Sequence, residues 1–177
     1  MTNLILERFF DTPLSVADMH QGARRTQWCF DLYRVEWGGS ALSADGRSLV
    51  CTFAAPDAEA ARNALRKLDA DIRRLWTASV YEAPAAVVPN VLVERSFPAP
   101  ETFERLKAIV DAKAWCLEQH RVEWARSFLS SDGRRMLCQY RAPDVESVRL
   151  AQREAGLPVD ALWAFERIAP EVTAESP

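Results

Sequence analysis

RVEWGGSALSADGR occupies residues 34–47, and RVEWARSFLSSDGR occupies residues 121–134. The polar letters keep their order and spacing while the residues between them change, so one design is written twice. A shift of 87 residues, from 34 to 121, aligns 4–81 with 91–168 without a gap, and about a third of the aligned positions are identical. All six tryptophans pair under it (Trp28 with Trp115, Trp37 with Trp124, Trp76 with Trp163). The four cysteines pair as well, Cys29 with Cys116 and Cys51 with Cys138.

A unit of this length, present only twice, is a small domain rather than one turn of a solenoid. The expected organisation is repeat 1 over 1–82, a linker at 83–90, repeat 2 over 91–168 and a flexible tail at 169–177. The linker carries Pro84 and Pro89, which discourage helix. Within a copy, ILERFF and LVERSF are short apolar strands. PLSVADMHQGARRTQWCF and PETFERLKAIVDAKAWCL each read as one helix, with Phe103, Leu106, Val110 and Leu117 at helical spacing. The repeated phrase and the residues after it form a hairpin turning at Asp45-Gly46 and Asp132-Gly133. A second helix follows, with Asp57 as N-cap, Glu59 in its first turn and Gly156 as a stop in the second copy. RLWTASVYE and ALWAFERIA close the copies as strands.

The order β-α-β-β-α-β is the ferredoxin-like split βαβ, a sheet with both helices on one face. The other face needs a cover, and the second copy is the obvious one. The expected fold is therefore α+β: two ferredoxin-like repeats packed sheet to sheet as a pseudo-dimeric α+β barrel. The pattern V/L-x-E-R-x-F, R-V-E-W-x-x-S-x-x-S-x-D-G-R, C-x-Y-x-A-P-D and G-L-P resembles the small ferredoxin-like domains typified by a bacterial nickel-binding protein. Copy two carries it through Glu94, Arg95, Arg121, Trp124, Ser127, Asp132, Gly133, Cys138, Ala142, Pro143, Asp144 and Gly156-Leu157-Pro158. Copy one has Asp69-Ala70-Asp71 in place of Gly-Leu-Pro. The resemblance implies this fold and suggests nickel as a ligand. Family members often carry a histidine five residues before Gly-Leu-Pro, where this chain has Ala151, and Ala64 in copy one. His20 and His120 are not equivalent under the repeat and read as surface residues.

Composition narrows the partners. With 49% hydrophobic and 27% charged residues the chain is that of a globular protein. No apolar run approaches a membrane span, and Glu7 and Arg8 interrupt the start before a secretory core develops. A cytoplasmic protein is expected, with no membrane partner. Net charge of −3 with interspersed signs offers no basic face to nucleic acid. The cysteines form no C-x-x-C pair and read as buried thiols. No glycine-rich phosphate loop or other organic-cofactor motif is present.

Setting Ser43 opposite Arg47 places Trp37 against Phe53 and Gly39 against Cys51. Trp37, Leu49, Cys51 and Phe53 then face the helices. Arg34, Glu36, Ser40, Leu42, Val50 and Thr52 face the other way, as do Arg121, Glu123, Ser127, Leu129, Leu137 and Gln139. Glu7 and Glu94 on the first strands join that second face. Glu7, Glu36, Glu94, Glu123, Arg34 and Arg121 are thus the candidate site between the sheets. They serve either as Arg–Glu pairs tying the halves or as the lining of a cavity for a small ligand or divalent metal. Three functions follow: a small-ligand or metal-binding protein, with binding preferred and nickel the implied metal; a cofactor-independent enzyme of monooxygenase, isomerase or cyclase type acting on an apolar or aromatic substrate; or a partner-binding module. A fused pair can keep one site and lose the other, so a single asymmetric site is expected.

Overall fold

The computed structural model describes residues 1–170, so the expected tail falls, apart from its first two residues, outside the described residues. The elements are β1 (Thr2–Phe9), α1 (Val16–Tyr33), β2 (Glu36–Ser43), β3 (Ser48–Ala55), α2 (Ala58–Lys67), β4 (Leu75–Glu82), β5 (Val91–Ser96), α3 (Phe103–Asp111), α4 (Ala114–Gln119), β6 (Glu123–Ser130), β7 (Arg135–Arg141), α5 (Val145–Ala155) and β8 (Ala161–Ile168). The class is α+β, with two βαββαβ ferredoxin-like repeats. No helix is long and apolar enough to cross a membrane.

Two compact units divide the chain: Met1–Thr77 with the segment from Glu166, and Ala78–Phe165. In the first, β1 pairs with β3 along its whole length, β2 forms the hairpin with β3, and Leu75–Thr77 of β4 lie beside Leu4–Leu6. In the second, β5 pairs with β7, β6 forms the hairpin with β7, Ala161–Ala164 of β8 lie beside β5, and Ala78–Glu82 of β4 lie beside β6. The boundaries of these units cut β4 and β8 in mid-strand. Ile168, at the end of β8, is 1% exposed and belongs to the first unit's core with Leu4, Leu6, Phe30 and Phe53. The second unit's core gathers Val91, Val93, Leu106, Met136, Tyr140 and Val148.

Most kept letters of the repeated phrase have a local task. Arg34 and Arg121 adopt left-handed conformations (φ 55° and 54°) where the chain leaves the helix. Val35 and Val122 are buried behind them. The ladders are irregular between Trp37 and Gly39 and between Trp124 and Arg126, the mark of a bulge that inserts one residue. Past it the tryptophan indole N–H donates to Ser40 Oγ (3.0 Å) or Ser127 Oγ (2.9 Å). At the turn, Asp45 accepts from Ser43 Oγ and Arg47 N, and Asp132 accepts from Ser130 Oγ and Arg134 N. These donors hold both carboxyls below their ordinary range, side-chain hydroxyl first.

The bulge corrects the expected faces. Trp37 does oppose Phe53, but Gly39 opposes Thr52 and Ser40 opposes Cys51. One extra residue reverses strand parity, so Ser40, Leu42, Ser127 and Leu129 turn toward the helices, not away from them. A second correction concerns the first helix of copy two, which breaks into α3 and α4. Lys113 leaves helical geometry (φ −127°, ψ 28°), and its ammonium lies 3.3 and 3.2 Å from the carbonyls of Glu154 and Ala155 at the end of α5. Its counterpart Thr26 bonds back to Gly22 and Ala23 carbonyls and stays helical. The helix ends match expectation: Asp57 accepts from Ala60 N, and Gly156 (φ 75°) stops α5.

The turn glycines generate a contrast in stability. A Cβ on Gly46 would lie 2.4 Å from Leu14 O, and one on Gly133 2.7 Å from Glu101 O, both at positive φ. Gly22, inside α1, has nothing within 4 Å. Urea unfolding should show Gly46→Ala and Gly133→Ala each less stable by about 1–3 kcal/mol, and Gly22→Ala more stable by about 0.5–1 kcal/mol.

Candidate functional site

The six candidate residues separate into two groups. Arg34, Glu36, Arg121 and Glu123 are exposed at the entry to β2 and β6. Glu7 and Glu94 are 4% and 7% exposed, on the sheet faces turned away from the helices, opposite Val50 and Leu137. Each accepts an indole N–H: Trp76 Nε1 to Glu7 at 2.7 Å and Trp163 Nε1 to Glu94 at 3.0 Å. Their arginines are not those expected: Arg74 stands 3.8 Å from Glu7 and Arg135 3.0 Å from Glu94. These partners meet the need of a buried carboxylate for charge and hydrogen bonds.

Two cavities lie elsewhere, on the helix side of each sheet, and none of the six candidates lines them. Each has a volume of about 310 Å³. Both are floored by equivalent residues: an arginine from the first strand (Arg8, Arg95), the bulge tryptophan (Trp37, Trp124) and the β3 or β7 cysteine (Cys51, Cys138). The arginines were missed as site residues. Their signal is parity, since Arg8 and Arg95 share the inward face of Leu4 and Leu6 or of Val91 and Val93.

In the second unit Arg95 is 1% exposed. Nη1 donates to Pro158 O (2.7 Å), and Nη2 donates to Gln152 Oε1 (2.7 Å) and Tyr140 Oη (3.1 Å). All three acceptors are neutral, and among the described residues no carboxylate pairs with this buried cation. Burial raises the Tyr140 phenol above its ordinary range, so it stays protonated beside Arg95. Ser127 Oγ, which accepts from Trp124, lies 3.2 Å from Cys138 Sγ. Phe103, Leu106, Val110, Leu117, Met136 and Leu157 supply an apolar wall.

In the first unit the same arginine has lost its partners. Phe53 stands where Tyr140 stands in the other copy, and Leu65 where Gln152 stands. Arg8 Nε is buried with no hydrogen-bond partner, and the guanidinium lies over the Phe10 ring at 4.8 Å. Asp18 and Asp69, both exposed, line the same cavity, and neither forms an ion pair with Arg8.

Nickel fails a test of donors. Among the described residues no three His, Cys, Asp or Glu side chains gather as a metal site. Ala64 and Ala151, at the family's histidine position, are wholly buried in the cores. His120 sits with a single carboxylate, Glu154, at 3.2 Å. The residues present do not fit the imidazole-rich set that nickel favours.

All four cysteines are free and buried. Burial pushes the Cys51 thiol from 9.0 up to about 11, against the opposing pull of the Ser40 hydroxyl and the Arg8 charge. A folded-state value above the unfolded one gives stability that is present below pH 9 and lost as pH rises toward 11. Urea midpoints measured from pH 8 to 11 should fall, and Cys51→Ala should remove up to one proton's share of the slope, about 1.4 kcal/mol per pH unit.

Several solved structures are similar to this chain at low identity. A candidate chlorite dismutase is 10% identical, with a TM-score of 0.53 over 95% of this chain and 94% of that one. A candidate monooxygenase from Lactobacillus acidophilus NCFM is 9% identical (TM-score 0.46; 94% and 93% covered). An anthrone oxidase-like protein is 10% identical (TM-score 0.44; 96% and 91% covered). No curated protein matches the chain. Residues 92–164, the second repeat, match the family described as nickel responsive protein SCO4226-like.

Proposed function

We propose that this chain is a small-ligand-binding protein whose second repeat holds its ligand between α3, α4 and the sheet. The ligand has an apolar ring body and one anionic group directed at Arg95. The observation that carries this reading is a nearly inaccessible arginine with only neutral acceptors, at the floor of a largely apolar cavity whose charged wall residues, Lys107 and Asp111, pair with each other. A desolvated cation lacking a counter-charge is costly, and a ligand anion offsets that cost where no protein carboxylate does. The cavity volume suits a one- or two-ring molecule, at the lower end of the roughly 300–1,000 Å³ usual for ligand pockets.

Nickel responsiveness, the description of the family that the second repeat matches, does not carry over to these donors. Metal binding therefore ranks behind an organic anion, because no donor set gathers among the described residues. Cofactor-free catalysis would need a proton-transferring group at the cavity floor, and the groups there suit anchoring better: an arginine such as Arg95 keeps its proton, Tyr140 is held protonated, and the carboxylate on the wall, Asp111, is paired with Lys107.

The test is a titration with 1-naphthoate followed by 15N spectra of the tryptophan indoles. The Trp124 resonance should shift saturably. Neutral 1-naphthalenemethanol should bind about ten-fold more weakly or worse, the loss expected for a charge-assisted contact. Val110→Phe, which adds a ring to the cavity wall, should abolish the Trp124 shift and leave the other indole resonances in place. An unresponsive Trp124, or a shift that survives Val110→Phe, would contradict the reading.

A further inference from the structure

The two copies of the cavity have been given different arginines in a chemical sense. Arg95 spends its donors on Pro158, Gln152 and Tyr140. The Arg8 side chain makes no hydrogen bond to any described residue, and its Nε is sealed from water as well. A buried guanidinium N–H without an acceptor costs roughly 1–3 kcal/mol, which an incoming acceptor recovers. A planar two-oxygen anion matches the guanidinium edge through two parallel hydrogen bonds. The first cavity also differs at its mouth. Asp18 and Asp69 line it, whereas Arg105 replaces Asp18 and Gly156 replaces Asp69 in the other copy. Hydrogen bonds from Ser15, side chain first and then backbone, hold the Asp18 carboxyl below its ordinary range. A simple anion would therefore be attracted by Arg8 and repelled by two carboxylates.

We propose that the first repeat's cavity is a second ligand site, selective for a zwitterion with an apolar side chain, that is, an apolar α-amino acid. Its carboxylate takes the idle donors of Arg8, and its ammonium faces Asp18 and Asp69. Its side chain lies among Phe10, Met19, Phe30 and Leu68. The inference extends the reading of the helix-side cavities as ligand sites, but it makes its own demand, on a different tryptophan and a different probe. Phe53 and Leu65 are the residues that keep Arg8 free for the ligand, because Tyr and Gln at those places would engage it.

The Trp37 indole lines this cavity and reports on it separately from Trp124. L-Phenylalanine should shift the Trp37 resonance saturably in 15N spectra of the full chain. 3-Phenylpropionate, lacking the ammonium, and phenethylamine, lacking the carboxylate, should each bind about ten-fold more weakly or worse. Arg8→Met should abolish the phenylalanine shift with all six indole resonances retained. Phe53→Tyr/Leu65→Gln, which leaves Arg8 in place but supplies it with acceptors, should weaken binding in the same direction. Asp69→Asn should narrow the preference for phenylalanine over phenylpropionate. The proposal is overturned if phenylalanine leaves Trp37 unmoved, if Arg8→Met binds as the parent does, or if phenylpropionate binds as tightly as phenylalanine. A response of Trp124 to 1-naphthoate with none of Trp37 to phenylalanine would sink this proposal alone, and the reverse would sink only the reading of the second repeat.

Discussion

A single extra residue in a β-strand organises both halves of this protein. The bulges at Trp37–Gly39 and Trp124–Arg126 reverse the alternation of side chains along β2 and β6. Without that reversal Ser40 and Ser127 would stand on the far side of the sheet from the tryptophan and cysteine they connect. With it, indole, hydroxyl and thiol form a short polar chain in each copy, on the floor of a cavity roofed by helices. Gly39 marks the constraint most sharply. Its φ is 117°, and a Cβ there would lie 2.9 Å from Ile168 O. Arg126, φ outside the left-handed region, serves the same bulge in the other copy without glycine.

The duplication then lets the halves diverge at the residues that surround a shared arginine. Copy two gives Arg95 a neutral cage and a largely apolar roof. Copy one withdraws the cage, leaves Arg8 over Phe10 and brings carboxylates to the rim. A homodimer cannot make such a division, because each substitution would appear in both cavities. The buried Glu7 and Glu94 have kept their tryptophans and exchanged only their arginines, Arg74 in one copy and Arg135 in the other. That pattern suits a structural carboxylate, whose requirement is a donor and a counter-charge rather than a particular neighbour.

Element order, helix caps and turns were legible in the sequence because they depend on local spacing. Asp57, Gly156 and the Ser-x-Asp-Gly turns act where their letters stand. The faces of the hairpin were not legible beyond Trp37, because alternation assumes a regular ladder and neither Gly38-Gly39 nor Ala125-Arg126 announces an inserted residue. Arg34, Glu36, Arg121 and Glu123 stand before the bulge, where the expected register holds, but at the strand entries they prove exposed. The break at Lys113 was equally hidden, since the residues on either side keep helical periodicity and the partner carbonyls lie 41 and 42 positions away. The arginines themselves were visible. Reading β1 and β5 by parity puts each on the side of its buried aliphatic neighbours, where an unpaired cation is an anomaly that asks for a ligand.

The central claim is that ligands enter on the helix side, at the strand-borne arginines. A crystal structure of the protein grown with 1-naphthoate tests it most directly. The account predicts the naphthalene ring among Phe103, Leu106 and Val110 with its carboxylate on Arg95. Naphthoate held instead against Glu7 or Glu94, with Arg95 still bonded only to Tyr140, Gln152 and Pro158, would contradict it.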